Sequence, residues 1–320
     1  MRCRRGRTKQ RGDYGAPVAP GTRADSGGGN IIEVLRCTWS TACSLQIRRW
    51  KASPVTQIGQ SSTEFTVVLP STQKSVTLAW AALTDVGRRR EVNEDSVLAK
   101  PPIFAVADGM GGHSAGDVAS AAVVARLAEY AGQPVLDAHS IDSALGLAVE
   151  DMKAGPGVTD QGTGTTVTGV ALAVVSGAPA WIAFNIGDSR VYQLSAGVLE
   201  QVTTDHSVVQ ELLDAGRITS EEAEVHPHGN IITRAVGFHE PPVPDYRILP
   251  LEPGTRILVC SDGLSKEITS HGLRHFLNSH LKAADAADAL VEAALDNGGR
   301  DNVSVIVVDV LSVTDAPATR

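Results

Sequence analysis

The fold class predicted is a layered α+β domain with mostly antiparallel sheets, and three observations carry it. The 320 residues are 42% hydrophobic and 20% charged, enough to bury a large core. Aromatics make up only 4% while glycine numbers 31, which suits a core of strands and Ala-rich helices better than an aromatic-lined barrel. Apolar segments come in the order strands, two helices, many strands, two helices, strand. That order lacks the βαβ alternation that would call for a parallel sheet.

Taken in order, residues 76–80, 96–99 and 103–107 read as strands from their dense β-branched and apolar content. Residues 116–132 have helical spacing through Val118, Ala122 and Ala125, and residues 140–153 form a second helix with Ser140 as its cap. The longest uncharged stretch, 161–187, is the one candidate membrane span. It carries Thr163, Thr165, Thr166 and Thr168 and is broken by Ser176-Gly-Ala-Pro179, so it reads as two buried strands, 165–175 and 180–186, joined by a turn. A hairpin turning at 195–197 follows, then a helix opened by Asp205 as cap and ending at Asp214. Residues 215–244 are polar and read as a surface insertion. Strands at 246–249 and 256–260, helices at 273–280 and 283–296, and a β-branched strand at 303–311 complete the order.

Charge divides the chain. The first 80 residues hold 12 Lys+Arg against 4 Asp+Glu, leaving 16 against 32 beyond. Residues 1–75 mix basic residues with Gly, Ser, Thr and Pro without a sustained period and are expected to be a disordered extension, residues 76–312 the folded domain and 313–320 a tail. The dispersed basic charges have no apolar face, which speaks against a nucleic-acid or membrane partner. No apolar segment of signal-peptide length follows Met1, and no even cysteine framework or zinc spacing occurs. Cys3, Cys37 and Cys43 lie in the head and Cys260 in an apolar run, so a reducing, cytoplasmic compartment is expected.

The chemistry lies in carboxylates at strand boundaries. Asp108 directly follows one apolar strand, Asp262 closely follows another, and Asp301 precedes the last. If that last strand runs antiparallel to the others, the three meet at one sheet edge, where they would repel unless cations lay between them. All-oxygen donors suit Mg²⁺ or Mn²⁺. Gly109 and Gly263 let the backbone turn sharply beside the acids. Any one of these pairs alone is a common turn; three together, each joined to an apolar strand, point to a metal centre. The loop Arg88-Arg-Arg90-Glu91-Val-Asn93-Glu94-Asp95 adds guanidinium groups able to grip a phosphate, although in isolation it reads equally as a solvated charged loop.

Arg90…Asn93-Glu94-Asp95, Asp108-Gly-Met-Gly-Gly-His113, Gly164-Thr-Thr166, Gly187-Asp-Ser-Arg190, Asp205-His-Ser207, Asn230…Thr233-Arg-Ala-Val-Gly237, Ser261-Asp-Gly-Leu264 and Arg300-Asp-Asn302 resemble, in order, the motifs of the protein phosphatase 2C family, in its bacterial branch. Each is short and weak, but the ordered set is specific and spans residues 78–311. The resemblance implies a four-layer α-β-β-α sandwich with a flap at about 215–244 beside a cleft holding two Mg²⁺ or Mn²⁺ ions. Carried over by position, Asp108 bridges the ions, Gly109 offers its carbonyl, and Asp262 and Asp301 hold the second ion. Glu94 and Asp95 act through water, and Arg90 clamps the phosphate. Asp160 resembles the acidic position that binds a third ion in bacterial members.

The family's eukaryotic pattern has a histidine two residues after the metal aspartate, where it resembles the acid for the leaving alkoxide. Here that position is Met110 and His113 comes five residues after Asp108, so His113 either reaches the site as the acid or only shapes the loop. Thr165, Thr166 and Asn302 are expected to support the metal residues, and Asp188 with Arg190 to form a turn-and-scaffold pair. The function implied is hydrolysis of phosphoserine and phosphothreonine in proteins phosphorylated by a Ser/Thr kinase, by a monomeric enzyme. The alternative is a catalytically inactive phosphatase fold serving as a binding or regulatory module; the anti-sigma-factor phosphatase branch usually adds sensor domains, and none is visible.

Overall fold

The computed structural model describes residues 56–69, 72–111, 115–154, 163–219, 222–223, 226–238 and 241–316, all within the compact unit Trp50–Arg320. In chain order the strands begin with β1 (Thr56–Gly59), β2 (Ser62–Leu69), β3 (Lys74–Asp85), β4 (Asp95–Lys100) and β5 (Ile103–Met110). Helices α1 (Gly116–Ala128) and α2 (Ala138–Ala154) follow. Next come β6 (Gly164–Thr165), β7 (Val167–Val175), β8 (Ala178–Ile186), β9 (Arg190–Ser195) and β10 (Val198–Gln201). Helix α3 (Val208–Asp214) precedes β11 (Asp245–Pro250) and β12 (Arg256–Cys260). The one-turn α4 (Asp262–Ser265), α5 (Ser270–Ser279), α6 (Ala283–Asp296) and β13 (Val303–Asp315) end the fold.

The strands form two sheets. One runs β1-β4-β5-β7-β8-β11 with β6 beside β5; the other runs β10-β9-β12-β13-β3-β2. Every pairing is antiparallel except β1 with β4. Strand alternation explains the layering. On β5, Phe104 and Val106 face the other sheet while Ile103, Ala105 and Ala107 pack beneath α1 and α2. On β12 and β13, Ile257, Val259, Ile306 and Val308 enter the same intersheet core, and Leu258, Cys260, Val305 and Val307 pack under α5 and α6. Both faces of each central strand are covered, which is why they read as continuous apolar runs. The result is the expected four-layer α-β-β-α sandwich.

Within the 161–187 stretch, β7 and β8 form an antiparallel pair, and among the described residues no helix is long and apolar enough to cross a membrane. The turn between β9 and β10 places Ala196 and Gly197 at φ 48° and 78°, the conformation of a two-residue hairpin turn.

Three local expectations are corrected. Two strands, β1 and β2, lie ahead of residue 76. β2 is an edge strand with most side chains in solvent, so it lacks the apolar alternation that marks a strand from sequence. The proposed disorder of residues 1–55 falls outside the described residues. The cap of α3 is Ser207, whose Oγ accepts the Gln210 N–H at 3.2 Å, because Asp205 is engaged elsewhere. At α2, Asp137 does the work expected of Ser140, its Oδ1 accepting the Ser140 N–H at 2.8 Å and the hydroxyl at 2.7 Å.

Phe104 packs edge-on between Trp80, at 5.3 Å, and Trp181, at 6.1 Å, joining the two sheets on the strand that carries Asp108. Truncation to alanine should cost about 3–5 kcal/mol. Urea unfolding of Phe104→Ala checks this; a loss below about 1 kcal/mol would show that the intersheet aromatic stack is not a keystone.

Candidate active site

Asp108 lies within β5, two residues before its end and not just after the strand as expected, in one sheet, whereas Asp262 follows β12 and Asp301 precedes β13 in the other. β12 and β13 are antiparallel as expected, but the acids do not share one sheet edge. They meet across the seam where the two sheets face each other, a relation that only packing creates.

Asp108 is fixed from the side of β6 and β7. The Thr166 hydroxyl accepts the Asp108 N–H at 3.0 Å, the Thr166 N–H donates to the Asp108 carbonyl at 2.8 Å, and the Thr165 hydroxyl donates to that carbonyl at 2.9 Å. The supporting role expected of both threonines is therefore present. Gly109 donates its N–H to the Glu94 carbonyl at 3.2 Å. A Cβ at Gly109 would lie 2.1 Å from the Gly116 carbonyl oxygen, so only glycine allows β5 to run this close to the start of α1.

The loop ahead of β4 is tied to the start of β13 by Asn302. Its Oδ1 accepts the Glu94 N–H at 2.8 Å, its amide donates to the Val86 and Val92 carbonyls, and its own N–H donates to Asp301 Oδ1 at 2.9 Å. Arg90 thereby reaches the cleft, where Nη2 donates to Asp301 Oδ2 at 2.8 Å with about half its side chain in solvent. Asp95 is buried and its Oδ2 accepts the Ser304 hydroxyl at 2.6 Å. Glu94 lies against Gly116 at the first turn of α1.

On the far side, Lys266 donates to Asp262 Oδ2 and stands 3.8 Å from Asp188 Oδ2. Glu267, the next residue, binds the Arg300 side chain at 2.9 and 3.0 Å. Asp188 does not pair with Arg190 as expected. Arg190 instead grips Asp205 through three hydrogen bonds, the shortest 2.7 Å, and buried Asp188 faces Asp262. Asp188 and Lys266 are the site residues that sequence reasoning missed. The available signal was the spacing of Lys266, four residues after Asp262 across a helical turn.

Electrostatics give the cluster its chemistry. Burial pushes the Asp95 carboxyl up to about 7 against the hydrogen bond from Ser304, and the charges of Asp262 and Asp301 push it up as well. Burial and the Asp262 charge raise Asp188 to about 7 against the pull of Lys266. Asp108 is raised well above the carboxylate range by burial and by Asp95, Asp262, Asp188 and Asp301. Such a cluster demands positive charge.

Asp95 Oδ1 and Asp262 Oδ1 are buried without a hydrogen-bond partner, and the donors are all oxygen, so these residues fit a hard divalent cation. The carboxylates are not closed on one point. Asp301 leans to Arg90 and Asp262 to Lys266, and no three His, Cys, Asp or Glu side chains among the described residues form a ready metal cage. Buried orphan oxygens are costly, and a cation reached by small side-chain rotations would satisfy them. His113 and Asp160 lie outside the described residues. The return of the 215–244 segment is anchored beside the site: Val236 exchanges two backbone hydrogen bonds with Thr165 at 2.9 and 3.0 Å.

The helix-flanked β-sandwich thus carries an acidic, cation-demanding centre at the seam of its sheets. The sequence profile of the family described as "Protein phosphatase 2C" matches residues 88–297. The chain is 42% identical over 249 residues to the serine/threonine protein phosphatase PstP of Mycobacterium tuberculosis, a match covering 74% of this chain and 46% of that protein. The chain thus spans about half the length of that relative. Protein phosphatase PhpP of Streptococcus pneumoniae is 36% identical over 239 residues, 71% of this chain and 96% of its own.

Among solved structures, that of the Mycobacterium tuberculosis phosphatase PstP superposes with a TM-score of 0.66 at 39% identity, covering 74% of this chain and all of the other. The catalytic domain of PstP in complex with two manganese ions matches with a TM-score of 0.65 at 39% identity, over 74% of this chain and 99% of that one. This chain belongs to the protein phosphatase 2C family.

The raised carboxyls fix the sign of a pH dependence. Asp95 and Asp188, at about 7 when folded, hold protons that the unfolded chain releases near ~4. In chelator the folded state should therefore lose stability as pH rises from ~4 to about 7, and Mn²⁺ should restore it above that range. Tm measured across this range with EDTA and with Mn²⁺ is the check. A Tm that climbs with pH in EDTA, or that ignores Mn²⁺, contradicts the assignment.

Proposed function

We propose that the chain is a metal-dependent phosphatase of phosphoserine and phosphothreonine in proteins, working with two Mg²⁺ or Mn²⁺ ions. The observation that carries this reading is the orphaned buried oxygens of Asp95 and Asp262 inside a cluster of mutually repelling carboxylates, with Arg90 at its mouth. The relation to PstP, whose catalytic domain has been solved with two manganese ions, supports it. Asp108, the Gly109 carbonyl, Asp262 and Asp301 would hold the ions, with Asp95 and Glu94 acting through water. When bound, the ions supply Lewis-acid activation of water and neutralise charge developing on the phosphoryl group.

The chain's own groups do the positioning. Arg90 is placed to leave Asp301 and take two phosphoryl oxygens in its fork, fixing the phosphorus over the acids. Thr165 and Thr166 hold the Asp108 backbone still, and Asn302 keeps the Arg90 loop in register with Asp301. Segment 215–244, anchored at Val236, is the proposed flap that meets the phosphoprotein. We place the catalytic domain at residues 56–316, the chain as a monomer in the cytoplasm, and its substrates among the products of a Ser/Thr kinase.

Mn²⁺-dependent hydrolysis of an aryl phosphate and of a phosphothreonine peptide tests the reading. Asp262→Ala should lower turnover at least about 10²-fold with circular dichroism unchanged. Arg90→Ala should lower kcat/KM about 10- to 100-fold, the loss of one charge-assisted contact of ~1.5–3 kcal/mol. A wild-type chain inert toward both substrates in Mn²⁺ would return it to the reading of a binding module.

A further inference from the structure

We propose that Lys266 is a tethered cation that competes with an incoming divalent ion for the Asp262 carboxylate, and so lowers the affinity of this chain for that ion. The inference rests on the two-ion reading above. The Lys266 ammonium donates to Asp262 Oδ2, an oxygen that an ion held by Asp262 would also seek. Its position is dictated by the backbone. The Lys266 N–H closes the single turn of α4 on the Asp262 carbonyl at 2.8 Å, which puts the two side chains on one face at i,i+4 spacing. The next residue, Glu267, is fastened to Arg300, so the segment cannot carry the ammonium away.

The neighbouring guanidinium groups are engaged elsewhere: Arg190 is committed to Asp205, and Arg90 contacts Asp301. A unit positive charge in contact with a ligand oxygen opposes a divalent ion at that oxygen, and the ion gains it only as the ammonium withdraws. Asp188 provides the withdrawn ammonium with a partner. Its Oδ2 lies 3.8 Å from Nζ, its carboxylate is buried, and it is not one of the proposed metal ligands. The Lys266 side chain is 38% exposed, which leaves it room to make that move. Loading is thus an exchange of one cation for another, and the lysine weakens metal affinity without adding or removing a ligand.

Mn²⁺ binding to the full chain, by calorimetry and by the electron paramagnetic resonance of free Mn²⁺, tests this in the wild type, Lys266→Met, Lys266→Gln, Lys266→Arg and Asp262→Asn. Both neutral variants should tighten one class of Mn²⁺ site by about tenfold or more. Lys266→Arg should keep wild-type affinity, and Asp262→Asn should remove that class. Using two neutral variants, each checked for folding by circular dichroism, guards against one that fails to fold. Unchanged or weaker affinity in the neutral variants, with Asp262→Asn still removing the class, overturns the proposal and leaves the catalytic reading standing. Equal tightening in Lys266→Arg assigns the effect to packing and also overturns it. A wild-type chain that binds no Mn²⁺ overturns this proposal and the catalytic reading together.

Discussion

Repulsion among buried carboxylates at the seam between two sheets is the constraint around which the rest of this molecule is arranged. Asp95, Asp108 and Asp188 are each pushed toward the protonated form by burial and by neighbouring acids, with Asp262 acting on all three. A fold selected for stability alone would not assemble such a group. Much of what surrounds it serves to hold the acids in place: threonine hydroxyls on Asp108, Ser304 on Asp95, and the Asn302 clamp on the Arg90 loop.

The apolar layers provide the rigidity this requires. Phe104 and Val106 enter the intersheet core on the same strand that carries Asp108, and Ile306 and Val308 do so on the strand that begins beside Asp301. Two close-packed sheets cannot slide past one another without breaking that core. The distance between Asp108 and its counterparts is therefore set by packing several residues away. Glycine completes the approach at one point, Gly109, where any side chain would strike the carbonyl of Gly116.

Cations internal to the protein are the second theme. Arg90 leans on Asp301, Lys266 on Asp262, and Arg190 on Asp205, so protein groups already balance part of the acidic charge. The exposed pairs contribute little to stability by themselves. Their consequence is for chemistry: on the proposed reading, an ion or phosphate entering the cleft would exchange partners with groups already there.

The sequence by itself determined a good deal. Most of the strand order, the pair β7 and β8 within an uncharged stretch, and the hairpin at Ala196 and Gly197 were legible, because local periodicity and turn chemistry are written in neighbouring residues. Strand β2 was not, since an edge strand with one face in solvent carries no apolar alternation. Nor were the choice of Ser207 over Asp205 as cap and the orientation of Asp188, because each depends on where Arg190 points. Only the tertiary structure decided that the acids meet across two sheets and that Lys266 sits among them. Proximity between residues far apart in the chain is set by which faces pack, and that information is spread over the whole core.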